Sequence, residues 1–451
     1  MSEVLRSVGL DVGTTSTQLI CSELTIENRA SSFAVPEMEI ARREILYKGK
    51  VHFTPLRDES HVDGEALRQL VEAEYRAAGI SRSSVDTGAI IITGETSRKE
   101  NARAVLEAMA DFAGDFVVAT AGPDLESVLA ARGAGAVDYS RKTGKTVVHM
   151  DIGGGTSNLA LIRDGEILQT TCLNAGGRLV KFDTTGTVTY VSQVLQGLSS
   201  LKVGDTVSPD VLKAVAEMLV QALEMAAGLR PATQLLDRMT TEEAQAQWEI
   251  PEPGAVLSFS GGVADCIDRE QPWQTFGDMG PILGRAIRES RLCAGAYVLG
   301  EETIRATVIG AGCHSAQLSG STVFHRKISF PLKNVPVVRI NDPTGERIRR
   351  ELQKQEGPAI LAMAGIASPG YREVVALAEE ILTGTEGKQV LVCLEQDMAK
   401  ALGQALAVRT APDVPLLCID RVKVTEGSYL DVGTPVGPAL PVVVKTLILS
   451  K

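Results

Sequence analysis

A nine-residue pattern occurs twice in the chain, 140 positions apart. No other feature limits the available folds as strongly. Asp11-Val12-Gly13-Thr14-Thr15-Ser16-Thr17-Gln18-Leu19 lies on Asp151-Ile152-Gly153-Gly154-Gly155-Thr156-Ser157-Asn158-Leu159 without a gap. Each copy reads Asp, an apolar residue, Gly, two small residues, two hydroxyl residues, a carboxamide and Leu. Each follows one β-rich apolar run and precedes another. Two matching strand–turn–strand units predict two related lobes that face each other across a ligand.

The turns have a definite chemistry. Gly13, Gly153, Gly154 and Gly155 let backbone N–H groups approach a phosphate chain with no Cβ in the way, and Thr14, Thr15 and Thr156 add hydroxyl donors. An aspartate at the strand end repels a phosphate, because both are anions. Its presence makes sense when Mg²⁺ or its water shell lies between them. Asp11 and Asp151 together therefore predict a metal–polyphosphate complex, with Mg²⁺ or its water shell between the carboxylates and the phosphates. A single Asp-Gly turn would be an ordinary hairpin, as Asp164-Gly165 is expected to be. The pair in matching register is the informative observation. A third turn, Val256-Leu257-Ser258-Phe259-Ser260-Gly261-Gly262, runs a buried strand into Gly261-Gly262. Bare backbone there suits a flat ring, such as adenine or ribose.

The remaining pattern is α/β. Strands are expected at Ser7–Val12, Gln18–Ile26, Ala89–Thr93, Phe116–Ala121, Thr146–Ile152, Ser157–Arg163, Glu166–Cys172 and Ala255–Ser260. Helices are expected at Asp63–Gly79, Arg98–Phe112, Leu125–Arg132, Ser208–Gly228 and Asp278–Ser290. Beyond residue 300, strands are expected at Thr303–Ile309, Ala359–Ile366, Gln389–Glu395 and Pro415–Ile419, with helices around 370–383 and 396–408. The division expected is a first lobe over 1–145, a second lobe with the adenosine turn over 146–300, and an additional α/β region over 301–451. A chain of 451 residues is long enough for all three. Its net charge of −11 lowers any expectation of nucleic-acid binding, which needs a basic field. No apolar run is long enough to span a membrane, and the first residues hold no signal-peptide stretch. The seven cysteines are scattered without a Cys-x-x-Cys, and the five histidines show no metal-ligand spacing. A reducing, cytoplasmic setting is expected.

The order Asp-x-Gly-Thr-Thr, Asp-x-Gly-Gly-Gly-Thr and a Gly-Gly turn resembles the actin, sugar-kinase and heat-shock-chaperone ATPase superfamily. The resemblance implies two ribonuclease-H-like lobes with ATP in the cleft. It also implies that the segment Gly122–Gly133 is the first connecting helix, whose leading acid helps arrange metal and water. Asp124 fits best by counting back from Gly133. Glu126 is the alternative, and a plain helix-start acid is equally open. Nearly the whole chain resembles the ethanolamine ammonia-lyase reactivating factors of bacterial ethanolamine utilisation. The stretches that carry this likeness are Val8–Gln18, Ile92–Ala102, His149–Leu161, Phe259–Asp265, Phe276–Gly280, Val308–Ser315 and Gly433–Leu447. That family implies a chaperone-like Mg-dependent ATPase. Its partner is ethanolamine ammonia-lyase, from which it releases damaged cobalamin so that intact adenosylcobalamin can bind. The family also implies a bacterial microcompartment. A homodimer is one expectation for the assembly.

Several motifs are set aside. Gly144-Lys145-Thr146 lacks the first P-loop glycine, since position 139 is Tyr, and it precedes its strand. Gly310-Ala311-Gly312 lacks the third glycine of a dinucleotide fingerprint, since position 315 is Ser. His314 reads as a hydrogen-bonded turn residue. Arg42-Arg43 and Arg347–Arg350 read as solvated faces. A small-molecule kinase and an actin-like assembly ATPase are the rival readings of the same fold.

Overall fold

The computed structural model describes residues 3–13, 16–28, 38–58, 61–93, 101, 105, 117–120, 123–242, 248–251, 254–300, 302–314, 316–318, 323–355, 357–422, 424, 428–435 and 440–446. In the first lobe β1 (Glu3–Val12), β2 (Ser16–Asn28) and β3 (Met38–Lys48) form an antiparallel meander, with β4 (His52–Phe53) on the edge of β2. After α1 (Gly64–Ala78), β5 (Thr87–Ile92) pairs parallel to β1, and β6 (Val117–Thr120) pairs parallel to β5. The order across the sheet is β3-β2-β1-β5-β6. Helix α1 has the signals that its sequence carries. Asp63 caps it through a bond from the Ala66 N–H of 3.0 Å, and Gly79 ends it at φ 67°. Its Leu67, Val71 and Tyr75 bury against Val8, Leu10 and Val12 of β1, at roughly 1.5–3 kcal/mol for each large apolar side chain.

Helices α2 (Pro123–Gly133) and α3 (Ala136–Thr143) lead into the second lobe. There β7 (Val147–Ile152), β8 (Ser157–Arg163) and β9 (Glu166–Leu173) repeat the meander. The β8–β9 turn puts Asp164 at φ 51° and Gly165 at φ 77°, the left-handed pair of a tight hairpin. A small hairpin, β10 (Val180–Phe182) and β11 (Val188–Val191), precedes helices α4 (Pro209–Ala226) and α5 (Gln234–Met239). Next, β12 (Val256–Ser260) pairs parallel to β7, and, after α6 (Gly280–Arg288), β13 (Tyr297–Leu299) pairs parallel to β12. The order β9-β8-β7-β12-β13 repeats that of the first lobe strand for strand. The two-lobed α/β fold of the actin-like ATPases is thus present, built twice on one topology.

Residues 303–309, expected as a strand, instead lead into helix α7 (Ala306–His314). A short apolar run reads alike as a buried strand or a buried helix. Here contact on several sides makes it a helix. Ala306, Val308, Ile309 and Ala311 are all buried. A Cβ on Gly310 would collide with the Leu129 carbonyl of α2, and one on Gly133 would collide with the Ala306 carbonyl. Paired glycines therefore let α2 and α7 cross with backbones touching. On another side, the Ser7 hydroxyl of β1 donates to the Gly312 carbonyl at 2.5 Å. Gly310 and Gly312 serve this packing.

The last region is one eight-stranded sheet. Its strands are β14 (Ala316–Leu318), β15 (Phe324–Arg326), β16 (Leu332–Arg339), β17 (Ile360–Met363), β18 (Val390–Leu394), β19 (Leu416–Ile419), β20 (Ser428–Val432) and β21 (Pro441–Thr446). Strands β16 to β19 are parallel and lie in chain order. Right-handed crossovers then send α8 (Gly345–Leu352), α9 (Tyr371–Thr385) and α10 (Ala399–Arg409) to one face. Ile348, Leu377 and Leu402 of these helices share a core with Leu361, Val392 and Leu416. The opposite face buries Ile360, Leu391 and Leu417 with Leu430 and Val442. Among the described residues no helix is long and apolar enough to cross a membrane. The helix expected over Arg98–Phe112 lies mostly outside the described residues.

Candidate functional site

The two hairpin tips match in their bonds as well as their residues. Gly13 N–H donates to the Ser16 carbonyl at 2.9 Å, and Gly153 N–H donates to the Thr156 carbonyl at 2.9 Å. Asp11 stands opposite Gln18 across β1 and β2, and Asp151 stands opposite Asn158 across β7 and β8. Thr14 and Thr15 lie outside the described residues. The first tip is braced from outside, since the Thr54 hydroxyl donates to the Gly13 carbonyl at 2.7 Å. The second tip rests on a glycine-rich floor. Gly177 N–H donates to the Gly153 carbonyl at 3.0 Å, and Arg178 N–H to the Gly154 carbonyl at 2.6 Å. A Cβ on Gly176 would strike the Gly154 carbonyl, whereas space beside Gly155 is open. Those bonds turn the carbonyls of Gly153 and Gly154 toward the floor.

The third turn is locked to the second. Gly261 adopts φ 89°, and a Cβ there would collide with the Ile152 carbonyl. That same carbonyl accepts from Val263 N–H at 3.1 Å, while Gly261 N–H donates to the Thr303 carbonyl at 2.9 Å. Only the end of Ile304 comes within 4 Å of a Cβ built on Gly262, so this side of the turn is bare. Close by, Arg178 packs on Gly154 and pairs through Nε with Asp278 at 3.1 Å, and Asp278 also accepts from Gly280 N–H at 2.9 Å.

The carboxylates are held under tension by their surroundings. Burial first, and then the charge of Asp151, push Asp11 up to about 7 against the pull of a 3.0 Å bond from the Thr93 hydroxyl. Burial pushes Asp151 up to about 6, opposed by hydroxyl bonds from Ser260 and from Thr307. Asp11 thus feels the charge of an aspartate from the other lobe in a poorly hydrated place. Behind Asp151, the buried His149 reaches Ser258 through Nδ1 at 3.1 Å and Ser260 through Nε2 at 2.9 Å. Burial lowers His149 to about 3, so its ring is neutral at pH 7 and keeps one donor and one acceptor.

These residues fit a divalent cation and a polyphosphate. Opposite charge between Asp11 and Asp151 would relieve the penalty that raises both. Two buried acceptors beside them, Gln18 Oε1 and Asn158 Oδ1, have no hydrogen-bond partner. The open backbone at Gly155 and Gly262 is space that a Cβ would fill. Among the described residues no three His, Cys, Asp or Glu side chains converge as a direct metal cage.

Of the residues expected from sequence, Asp11, Gly13, Asp151, Gly153, Gly154, Gly155 and Thr156 lie at the two tips, and Gly261 and Gly262 lie at the turn packed on the second. The Asp124 carboxylate accepts from the Thr170 hydroxyl of β9 at 2.5 Å, while Asp11 accepts from the Thr93 hydroxyl. Sequence reasoning passed over Thr93, His149, Arg178, Ser260, Asp278 and Thr307 as site residues. Thr93 ended an expected strand and Asp278 began an expected helix, and both stood in stretches noted for a resemblance. Arg178 was signalled by the Gly176-Gly177 before it. Thr307 was hidden inside an expected strand.

A family profile described as "Ethanolamine utilisation protein EutA" matches residues 3–450. The chain is 38% identical over 468 aligned residues to a Salmonella typhimurium protein described as "Ethanolamine ammonia-lyase reactivase EutA", covering 98% of each chain. A protein of the same description from Escherichia coli is also 38% identical, with the same coverage. Among solved structures, a Ppx/GppA family member of Aquifex aeolicus is similar at 13% identity and a TM-score of 0.43, over 68% of this chain and 97% of that one.

Proposed function

The chain belongs to the EutA family of ethanolamine utilisation proteins, and from that membership we propose that it is an ATP-dependent reactivase of ethanolamine ammonia-lyase. It acts on lyase that has lost the adenosyl group of its cofactor, releasing damaged cobalamin so that intact adenosylcobalamin binds. The observation that carries the ATPase part is the pair of aspartate-tipped hairpins, equivalent in register and close enough for Asp151 to raise Asp11.

Asp11 and Asp151 would hold hydrated Mg²⁺, with Thr93 and Ser260 fixing the carboxylate orientations. When bound, Mg²⁺ supplies positive charge against the triphosphate and against the charge that develops in phosphoryl transfer. Backbone N–H groups at 154–156, with the hydroxyls of Thr14, Thr15 and Thr156, receive the β- and γ-phosphates beside the bare backbone of Gly13. Gly261 and Gly262 offer bare backbone to the adenosine. Asp124 is kept as a candidate for orienting the attacking water through its place at the head of α2. Electrostatic positioning carries the reaction, and no side chain forms a covalent intermediate.

Coupling to the lyase needs a difference in affinity between nucleotide states, because a partner bound equally by both shifts nothing. Taking trapped lyase from about 1:99 to about 99:1 open requires about 5.5 kcal/mol of such difference. The γ-phosphate is held between lobes in this reading, so its loss frees one lobe from the other. The test is reactivation of cobalamin-inactivated lyase with fresh adenosylcobalamin, with and without Mg-ATP. The expected result is ATP-dependent recovery, slow ATP turnover without an acceptor, and no pelletable polymer. Stoichiometric phosphorylation of a metabolite, or recovery indifferent to ATP, overturns the proposal. Co-localisation with the lyase in a bacterial microcompartment is part of the same proposal.

A further inference from the structure

The carboxamides of the repeated pattern have no role in the nucleotide reading above. Gln18 and Asn158 are 3% and 2% exposed, yet Gln18 Oε1 and Asn158 Oδ1 lack any hydrogen-bond partner. An unpaired buried acceptor is destabilising, and here that happens twice, at positions 140 residues apart in the same register. Gln18 is the direct cross-strand neighbour of Asp11, and Asn158 of Asp151. Directly opposed residues of an antiparallel pair project from the same face of the sheet. Each orphaned oxygen therefore shares a face with one aspartate of the charge-coupled pair.

The orientation of Gln18 is fixed by its other end. Gln18 Nε2 donates to the Ile304 carbonyl at 3.2 Å. A carbonyl only accepts, so the amide nitrogen must face it and the oxygen must face away. Ile304 begins the turn that carries Thr307 to Asp151, which ties both lobes' tips to one segment. Each tip therefore sets a carboxylate beside a neutral oxygen that has no donor. Mg²⁺ gives up its waters reluctantly and presents their hydrogens outward, so its water shell is a cluster of donors. The lack of a three-residue cage among the described residues agrees with contact through water.

We propose that Gln18 and Asn158 are outer-shell ligands of the site's divalent cation, accepting hydrogen bonds from its water shell as the neutral partners of Asp11 and Asp151. The inference rests on the cation reading of the two aspartates, and its test separates the two. Mn²⁺ alone is titrated into the full-length protein, and free Mn²⁺ is followed by electron paramagnetic resonance. Gln18→Leu and Asn158→Leu keep approximate size and remove the acceptor. Each is expected to weaken Mn²⁺ binding by about tenfold, in line with the loss of an outer-shell partner. Gln18→Glu and Asn158→Asp keep an acceptor and add charge, and are expected to bind Mn²⁺ at least as tightly as the unmodified chain. Should a leucine variant melt early in cation-free buffer, the acidic variants decide: tighter Mn²⁺ binding supports the assignment and weaker binding overturns it. Wild-type affinity in both leucine variants, with binding lost in Asp11→Asn and Asp151→Asn, overturns the carboxamide assignment alone. Affinity unchanged in Asp11→Asn and Asp151→Asn overturns the cation reading itself.

Discussion

At the scale of single residues, the site is a set of buried polar groups that the fold tolerates at a cost. Asp11 and Asp151 titrate near 7 and 6 instead of 3.8. Between those limits the folded protein keeps protons that the unfolded chain has already released. Their contribution to stability is therefore fully present below about pH 4 and is lost as pH rises from there through about 6 to 7. In cation-free buffer the stability gained by Asp151→Asn over the unmodified chain should grow between about pH 4 and about pH 6 and level off above about pH 7, as measured by thermal melting. A difference constant with pH would mean that Asp151 is not charged at a cost. The same variant should lose ATP turnover at every pH while keeping its secondary structure by circular dichroism. A second residue-scale expectation concerns Gly261. Its φ of 89° and its contact with the Ile152 carbonyl both exclude a Cβ. Gly261→Ala should lower stability by about 2 kcal/mol from backbone strain alone, read as a fall of a few degrees in melting temperature. A neutral effect would mean that the third turn is free to shift away from β7.

At the scale of elements, the hairpins were legible and helix α7 was not. Asp-x-Gly turns between apolar runs name both strand pairs from the sequence, and the constant offset marks the two pairs as equivalent, while the register that sets Asp11 beside Gln18 comes from the structure. Helix α1 announced both its ends through Asp63 and Gly79. Thr303–Ile309 failed because its apolar run carries no period, and its glycines look like loop punctuation until α2 lies across them. The partners that complete the site, Thr93 and Thr307, arrive from elements distant in sequence, so no local pattern encodes them. Helix α7 is where this matters for function. It presses on α2 through Gly310 and on β1 through Gly312, and it delivers Thr307 to Asp151. A methyl group at position 310 has nowhere to go except into the Leu129 carbonyl. Gly310→Ala should therefore push α7 off α2 and weaken Mn²⁺ binding about tenfold, although residue 310 is itself no ligand. Unchanged binding, with the melting temperature also unchanged, would show that the crossing has slack and that α7 does not govern the site.

At the scale of the whole molecule, the three regions differ in what can hold them together. The first two lobes meet where α2 crosses α7 and where Thr307 reaches Asp151, so anything that binds both tips ties one lobe to the other. The last region has cores of its own on both faces of its sheet, and its parallel strands β16 to β19 are covered by their own three helices. A ligand that binds only the folded lobes stabilises them by mass action, by about 2.7 kcal/mol at a hundred times its dissociation constant. The last region should gain nothing from it directly. In calorimetry, a non-hydrolysable ATP analogue with Mg²⁺ should raise the melting of the lobes while leaving a second transition, that of the last region, where it was. Asp11→Asn and Asp151→Asn should each abolish the shift entirely, because a clamp with one jaw removed holds neither lobe to the other. Half of the shift surviving in one variant would mean that the nucleotide sits on a single lobe, and the hinge on which lyase opening depends would lose its physical basis. Both transitions rising together would instead show that the last region is mechanically coupled to the cleft, which would make it the natural route by which hydrolysis reaches the lyase.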